Sequence, residues 1–584
     1  MKNKSPFNFS GVQQHFPWAI VLLSAVIAVS VFLQALRFPF IFDDFGYIVQ
    51  NTKLTELNVS ELWRLFTKPY NDFSEFLPIR EFSYWIDFKL FGMNPTAFRL
   101  HNIILYVLCL PLVFIVTTKL WQYFRSTESS DAQWVAAIVT ALFAFNPSHA
   151  EAVVWIAGRK DVLSAFFSLL GLWFAISSKR DHGLSARYAT ATLLALLAAI
   201  LSKASAVAVA PVIAFLWLIF WRDTPSSNKR YSTLLWPLAC LLLALCMAAI
   251  FASLTTQRIP FYFGIEIVTR ALAVLGWLAR LSISPESRHF FYPVFDDSNF
   301  PLMIALGAVI LTASMVGLVM AMRKHSLVGF TFAIFFLLCL TSLQLVPYKP
   351  PSLISDRFVF LAAWPIILLI VTLLWNFKPA HRAALFLIIA CTWGLQASER
   401  TREWNSFQTL VDSDLHAYPG YYMPAAFKIA GRRMYSSSRE TANNISNPVL
   451  RNAMIGILDA DHAVNIEAVA KGNPQEAMDM LLKLGEILNQ PPVQTKWNPP
   501  MLLLWEKYKE MLEDDWIGLS KRFPNDVSVN YNAGLWMLGN GSYEKATVYL
   551  RNAIESPLFP ESDREQAVKN LELTLMKSGQ LQKP

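Results

Sequence analysis

Runs of about 15–22 apolar residues recur along roughly the first two-thirds of the chain and then stop. They fall near 17–36, 98–118, 133–146, 161–178, 187–201, 205–221, 232–253, 300–322, 327–346, 357–376 and 383–397. A helix crossing a bilayer needs about 20 residues, give or take a few, so eleven spans are expected. The first run is too long, and its C-terminal flank too bulky, for a cleaved signal peptide. Two further stretches repeat apolar residues at helical spacing but carry charges. Residues 264–282 include Glu266, Arg270 and Arg280. Residues 79–91, IREFSYWIDFKLF, set Phe82, Trp85, Ile86 and Phe91 against a face of Arg80, Glu81 and Asp87. Both are expected to lie on the membrane surface as interfacial helices.

Beyond about residue 398 the pattern turns polar and helix-rich, with Pro, Gly and Asn punctuation. Gly534, Tyr543, Ala546, Leu550, Ala553 and Pro557 alternate small and large residues as a tetratricopeptide unit does, where two helices pack through Gly and Ala. KGNPQEAMDMLLKL (471–484) reads as half of another unit. The expected architecture is all-α and polytopic: a membrane domain over 1–397 and a tetratricopeptide-like helical domain over 398–584.

Composition supports this division. Hydrophobic residues make up 54% of the 584, and charged residues only 16%. Soluble domains carry about 25% charged residues, so an ordinary soluble enzyme is excluded, and so is a disordered chain. The net charge of +8 is explained by short cytoplasmic loops collecting Lys and Arg rather than by nucleic acid. Lys2 and Lys4, Lys179, Arg180 and Arg187, Arg222, Lys229 and Arg230, Arg323 and Lys324, and Lys378 and Arg382 all fall on one side of an alternating chain. That side is taken as cytoplasmic. The loops 37–97, 146–160, 254–299 and 347–356 then face outward, as does the tail. The expected location is the inner (plasma) membrane with a periplasmic C-terminal domain. Cys109, Cys240, Cys246, Cys339 and Cys391 sit inside apolar runs without metal or disulfide spacing.

Ionisable residues gather at the outward ends of the spans. FDDFGY (42–47) sets Asp43 and Asp44 at the water boundary among aromatics. Adjacent residues point in different directions, so one carboxylate, not a pair, would take a proton from an incoming hydroxyl. NPSHAEAVVWIAGRKD (146–161) brings His149, Glu151, Arg159 and Asp161 into one loop and helix start, and a guanidinium there suits a phosphate. Lys203 interrupts an apolar stretch, and Asp356 and Arg357 open a span at headgroup depth. Asp296 and Asp297, a second FDD, are an alternative metal or acceptor site, although a solvated loop explains them as well. There is no H-E-x-x-H, G-x-S-x-G or P-loop.

In order along the chain, FLPIREFSYWIDFKLFGMNPTAFRLHNIILY, ALFAFNPSHAEAVVWIAGRKDVLSAFFSLLGLWF, ILSKASAVAVAPVIAF and LISDRFVFLAAWP resemble one family. It comprises bacterial polytopic proteins with tetratricopeptide tails, related to the eukaryotic transmembrane-and-tetratricopeptide-repeat O-mannosyltransferases of the GT-C superfamily. The resemblance covers most of 38–420. It implies an outward-facing active site, a sugar donor on a polyprenyl phosphate, and an acidic base in the first outer loop. The family's acidic pair falls on Asp43 and Asp44, its His, acid and Arg on His149, Glu151 and Arg159, its Lys on Lys203, and its Asp-Arg on Asp356 and Arg357. Ala204, Arg99 and Tyr106 depart from the family pattern.

The expected activity is inverting glycosyl transfer to a protein or glycan hydroxyl. Asp43 or Asp44 serves as base, and Arg357, Lys203 and Arg159 neutralise the leaving phosphate. His149, Glu151, Asp161 and Asp356 complete the polar site. No metal is required by that chemistry, and a divalent ion (Mg or Mn) stays open. Expected partners are the lipid-linked donor, the acceptor and membrane lipids. Two other readings stand beside it: a non-catalytic membrane scaffold whose tail binds partners, and a transporter of lipid-linked substrates, which would place charged or broken helices at the midplane.

Overall fold

The structure is a computed structural model. It describes residues 9–417, apart from 50, 72–74, 126–128, 182, 225–230, 255–264, 284–288, 291, 293–299, 344 and 346–353, and then 517, 527–539, 541–555 and 561–580. The chain divides into two compact units, Met1–Ala417 and Tyr418–Pro584.

The first unit is an all-α polytopic membrane bundle. Among the described residues, five helical stretches are long and apolar enough to cross a membrane: Phe16–Arg37, Pro95–Arg125, Ile156–Ser177, Ala204–Asp223 and Phe300–Lys324. Five shorter apolar helices accompany them: Asp131–Phe145, Ala186–Ser202, Leu235–Phe251, Leu327–Ser342 and Ala363–Leu374. Ten of the expected spans coincide with these, and the eleventh lies on the helix Pro379–Glu403. The outward faces are apolar, with Leu22, Leu23 and Val26 on the first helix and Leu238, Leu242 and Leu245 on Leu235–Leu254 exposed. A surface of this kind suits lipid, since water would penalise so large an apolar patch.

We label four elements used below: α1 (Pro78–Phe91), α2 (Pro95–Arg125), α3 (Ile265–Ile283) and α4 (Phe300–Lys324). Pro78 starts α1, where its missing N–H is no loss. Arg80, Glu81, Ser83, Tyr84 and Asp87 of α1 are buried against the bundle, while Phe82, Leu90 and Phe91 are exposed. The helix is thus polar inward and apolar outward.

α3 packs antiparallel along α4, Gly276 facing Met303 and Gly307 facing Leu272. A Cβ on Gly276 would sit 2.1 Å from the Met303 carbonyl oxygen, and one on Gly307 1.9 Å from that of Leu272. Only glycine permits that approach, as in helix pairs within membranes. Ala273, Val274, Leu275, Trp277, Leu278 and Ala279 are buried in consequence. The glycine spacing decides this packing.

The first compact unit runs to Ala417 and includes the helix Phe407–Ala417. Leu410 and Val411 are buried, and the Asp414 carboxylate accepts from the Phe290 N–H at 3.0 Å. In the second unit, helices Val527–Gly539, Tyr543–Glu555 and Glu561–Lys577 pack in succession. Gly534 lies against Leu550, and Ala553 against Ala567. Residues 471–484 lie outside the described residues.

Candidate active site

The chain leaves the first span through a 3-10 turn, Gln34–Arg37, and turns at Phe42, whose φ is 51°. A bulky residue occupies that left-handed region only where its surroundings hold it. Here the Phe42 ring stacks on Phe407 with centroids 5.3 Å apart and meets Phe290 edge-on at 5.0 Å.

The turn separates the two acidic side chains. Asp44 is fully buried. Its Oδ2 accepts from the Ile41 N–H at 3.0 Å and its Oδ1 from the Ala157 N–H at 2.9 Å, tying the first loop to the chain entering Ile156–Ser177. Burial pushes its carboxyl up to about 7, against the pull of those two donors and of Arg99. Asp43 is half-buried. Among the described residues, no side-chain hydrogen bond or ion pair occupies its carboxylate. Burial raises its pKa above the ordinary carboxylate range, Lys160 and Arg357 pull it back, and Glu75 adds to the rise.

Around Asp43 stand the reachable charges. The Glu75 carboxylate, 30% exposed, accepts from Tyr47 Oη at 2.9 Å, from Arg80 at 2.7 Å and from Lys160 Nζ at 3.2 Å. Burial works to raise its pKa, but Lys160 and Arg80 hold it well below the usual carboxylate range. The Arg357 guanidinium donates to Glu151 and lies 5.1 Å from the Trp155 ring centroid. Glu151 is buried and also accepts from Ser355 Oγ at 2.6 Å and from the Arg357 N–H at 3.1 Å. Lys203 pairs with buried Asp161. The side chains of Lys160, Lys203 and Arg357 keep 13%, 19% and 21% exposure, so each presents donors beyond its partner.

Other expected site residues are built into the frame. Arg159, expected to hold a phosphate, is fully buried. It reaches Asp87 at 2.6 Å, Asn102 at 2.7 Å, the Phe98 carbonyl at 2.7 Å and Ser83 at 3.3 Å. Its donors are spent on α1 and α2, and no face remains for a ligand. Buried His149 bonds Tyr106 Oη at 3.0 Å and the Phe360 carbonyl at 3.1 Å. Buried Asp356 accepts from Tyr292 Oη and from Arg400 at 3.3 Å. The departures from the family pattern join the same frame: Tyr106 holds His149, and Arg99 donates to the Phe38, Pro39 and Val154 carbonyls. Glu75 and Tyr47 were missed as site residues, and Lys160 was read only as part of its loop. The cue for Glu75 was weak: a lone carboxylate five residues before Arg80 in an aperiodic loop. Among the described residues no group of three His, Cys, Asp or Glu side chains is placed to hold a metal. Asp296 and Asp297 lie outside the described residues.

No protein-family model matches the chain. Over 172 residues, 28% of its length, it is 27% identical to protein O-mannosyl-transferase TMTC2 of Mus musculus. It is 25% identical over 166 residues to protein O-mannosyl-transferase F38B6.6 of Caenorhabditis elegans, and 28% identical over 191 residues to protein O-mannosyl-transferase Tmtc1 of Drosophila melanogaster. Its homologues are protein O-mannosyl-transferases. The chain spans about a fifth of the length of these relatives: 20%, 23% and 21% respectively. Among solved structures, the archaeal oligosaccharyltransferase AglB from Archaeoglobus fulgidus, in complex with an inhibitory peptide and a dolichol-phosphate, aligns with a TM-score of 0.40 at 13% identity. That alignment covers 76% of this chain and 60% of AglB.

Proposed function

We propose that the chain is a membrane glycosyltransferase. It moves a sugar from a polyprenyl-phosphate-linked donor to a hydroxyl of a protein or glycan acceptor, with inversion. The observation that carries this reading is Asp43: a half-buried carboxylate, unclaimed by any partner among the described residues, under the influence of Lys160 and Arg357. A carboxylate with a raised pKa is a stronger base, and one without a partner is free to take the acceptor proton. The three partly exposed cations suit a leaving phosphate, since charge that develops in the transition state is best met by donors already in place. Lys160 takes the place first given to Arg159, beside Arg357 and Lys203. Asp44, Glu151 and Asp161 hold these groups rather than react.

The family of the homologues makes mannose the first sugar to test, on a protein hydroxyl. The proposed location is the inner membrane, with the site on its outer side and a periplasmic C-terminal domain. The donor phosphate needs no metal in this scheme, although a divalent ion remains compatible with it. The test is transfer of labelled mannose from a polyprenyl-phosphate carrier by the purified chain in liposomes, with glycoproteomics of a strain lacking the protein. Absence of transfer from every polyprenyl-phosphate sugar tried, with an unchanged glycoproteome and glycolipid profile, would leave the scaffold reading.

A further inference from the structure

The turn that carries Asp43 is built around a residue that such a turn disfavours. The Asp44 N–H donates to the Ile41 carbonyl at 3.1 Å, closing residues 41–44 into a turn with Phe42 and Asp43 at its centre. Phe42 has a φ of 51°, and Asp43 does not share the positive φ. A turn with positive φ at its second residue alone ordinarily has glycine there, because a Cβ crowds the backbone in the left-handed region. The surrounding rings oppose the return of Phe42 to negative φ. Phe407 lies almost parallel to it, with 11° between the planes, and Phe290 stands edge-on. Both rings are held from the helix Phe407–Ala417. Phe407 begins that helix next to Ser406, whose Oγ accepts from the Thr409 N–H at 3.1 Å. Further along it, Asp414 accepts from the Phe290 N–H, and buried Trp404, just before it, packs on Phe290 with centroids 5.6 Å apart.

We propose that Phe407 is a positioning residue: its ring holds Phe42 in the left-handed conformation, and that conformation turns the Asp43 carboxylate onto the polar face. The role rests on the reading of Asp43 as the base. Asp44 is fixed by the Ile41 and Ala157 N–H groups, so the direction of Asp43 is set by the dihedral angles at Phe42 and at Asp43 itself. A return of Phe42 to negative φ would re-aim the next side chain while Asp44 stays anchored. Strain of this kind persists only where packing over-determines it. Here the packing comes from the other end of the first unit. A misplacement of about 1 Å can cost about 10²-fold in rate, so a ring that never touches substrate can decide whether the base is in reach.

The test uses the full chain in detergent, with the exposed Cys246 and Cys391 replaced by Ser. Asp43→Cys reports where that side chain points, through its rate of modification by a negatively charged methanethiosulfonate, which Lys160 and Arg357 draw to the polar face. The expected result is severalfold slower modification when Phe407→Ala is added, and an unchanged rate with Phe407→Tyr, which keeps the stacked ring. Adding Phe42→Gly should abolish the effect of Phe407→Ala, because glycine adopts positive φ without a ring to hold it. Equal modification rates with and without Phe407→Ala would overturn the proposal, and so would a loss that Phe42→Gly leaves in place, which is what a general loss of packing predicts. With Asp43 intact, Phe407→Ala should lower kcat by about tenfold to 10²-fold with the donor KM unchanged. Slower modification at position 43 beside undiminished transfer would instead remove Asp43 as the base and leave its placement by Phe407 standing. If Phe407→Ala fails to fold, Phe407→Leu carries the same comparison.

Discussion

Three pairs of consecutive residues around the site split in the same way. Asp44, Arg159 and Asp356 are fully buried with their hydrogen bonds taken, whereas Asp43, Lys160 and Arg357 remain partly exposed. The inner members lock the first loop, α1 and α2, and the helix Pro379–Glu403 to one another. The outer members converge on one polar face. What separates the inner members from the outer ones is not residue type but spare hydrogen-bonding capacity. A buried charge must be paired or it destabilises the fold, so a frame residue has nothing left to offer a ligand.

The largest expected effect is at Asp43. Asp43→Asn should lower sugar transfer by about 10²–10⁴-fold, the usual contribution of a positioned general base, with the melting temperature unchanged. In the parent enzyme the acid limb of the pH–rate profile should lie above the ordinary carboxylate range, because burial raises this group. Near parent turnover in a folded Asn variant would remove Asp43 from the reaction. Arg159 supplies the opposite case. Arg159→Met leaves Asp87 buried without its cation, and breaking a buried pair costs about 3–5 kcal/mol. Thermal unfolding in detergent should show that loss. A variant with parent stability and weakened donor dependence would return Arg159 to the site.

Asp44→Asn should cost about 1–3 kcal/mol, since an amide sets a donor against one of the two backbone N–H groups. It also carries a pH signature. The folded carboxyl titrates at about 7, whereas an unfolded Asp titrates near its ordinary value of about 3.9. The folded state therefore binds more protons over that window. The group's contribution is fully present below about pH 4 and is lost as pH rises through about 7. Melting temperatures of parent and variant across this range should differ most at the acid end; parallel curves would refute the assignment. The smallest effect is expected at Arg357→Lys, which keeps the charge but loses the fork. Activity at subsaturating donor should fall about tenfold, the weight of roughly one charge-assisted hydrogen bond. A shift confined to acceptor dependence would place Arg357 on the other substrate.

The spans were legible because hydrocarbon forces long apolar runs, and a run is a local property. The convergence of FDDFGY, NPSHAEAVVWIAGRKD and ISDRF on one side was legible because charges avoid the bilayer core and collect at span ends. The sequence did not show that Arg159 meets Asp87, because a run of charges looks the same whether its members face a ligand or a buried carboxylate. Glu75 went unseen because its loop has no periodicity, and only Lys160, Arg80 and Tyr47, distant or aperiodic in sequence, make it part of a site. Gly276 and Gly307 acquire meaning only as close contacts of two facing helices, which no local pattern shows.

The sequence by itself determined the helical membrane architecture, the polar helical tail and the span ends at which the chemistry gathers, since each follows from hydrophobicity and spacing along the chain. Tertiary structure alone decided which member of each acidic or basic pair is fully buried and hydrogen-bonded and which stays partly exposed. That choice depends on hydrogen bonds between elements far apart in the chain, such as Asp44 with Ala157, Arg159 with Asp87 and Arg357 with Glu151. No local pattern encodes them, because burial and partner are properties of the packed bundle.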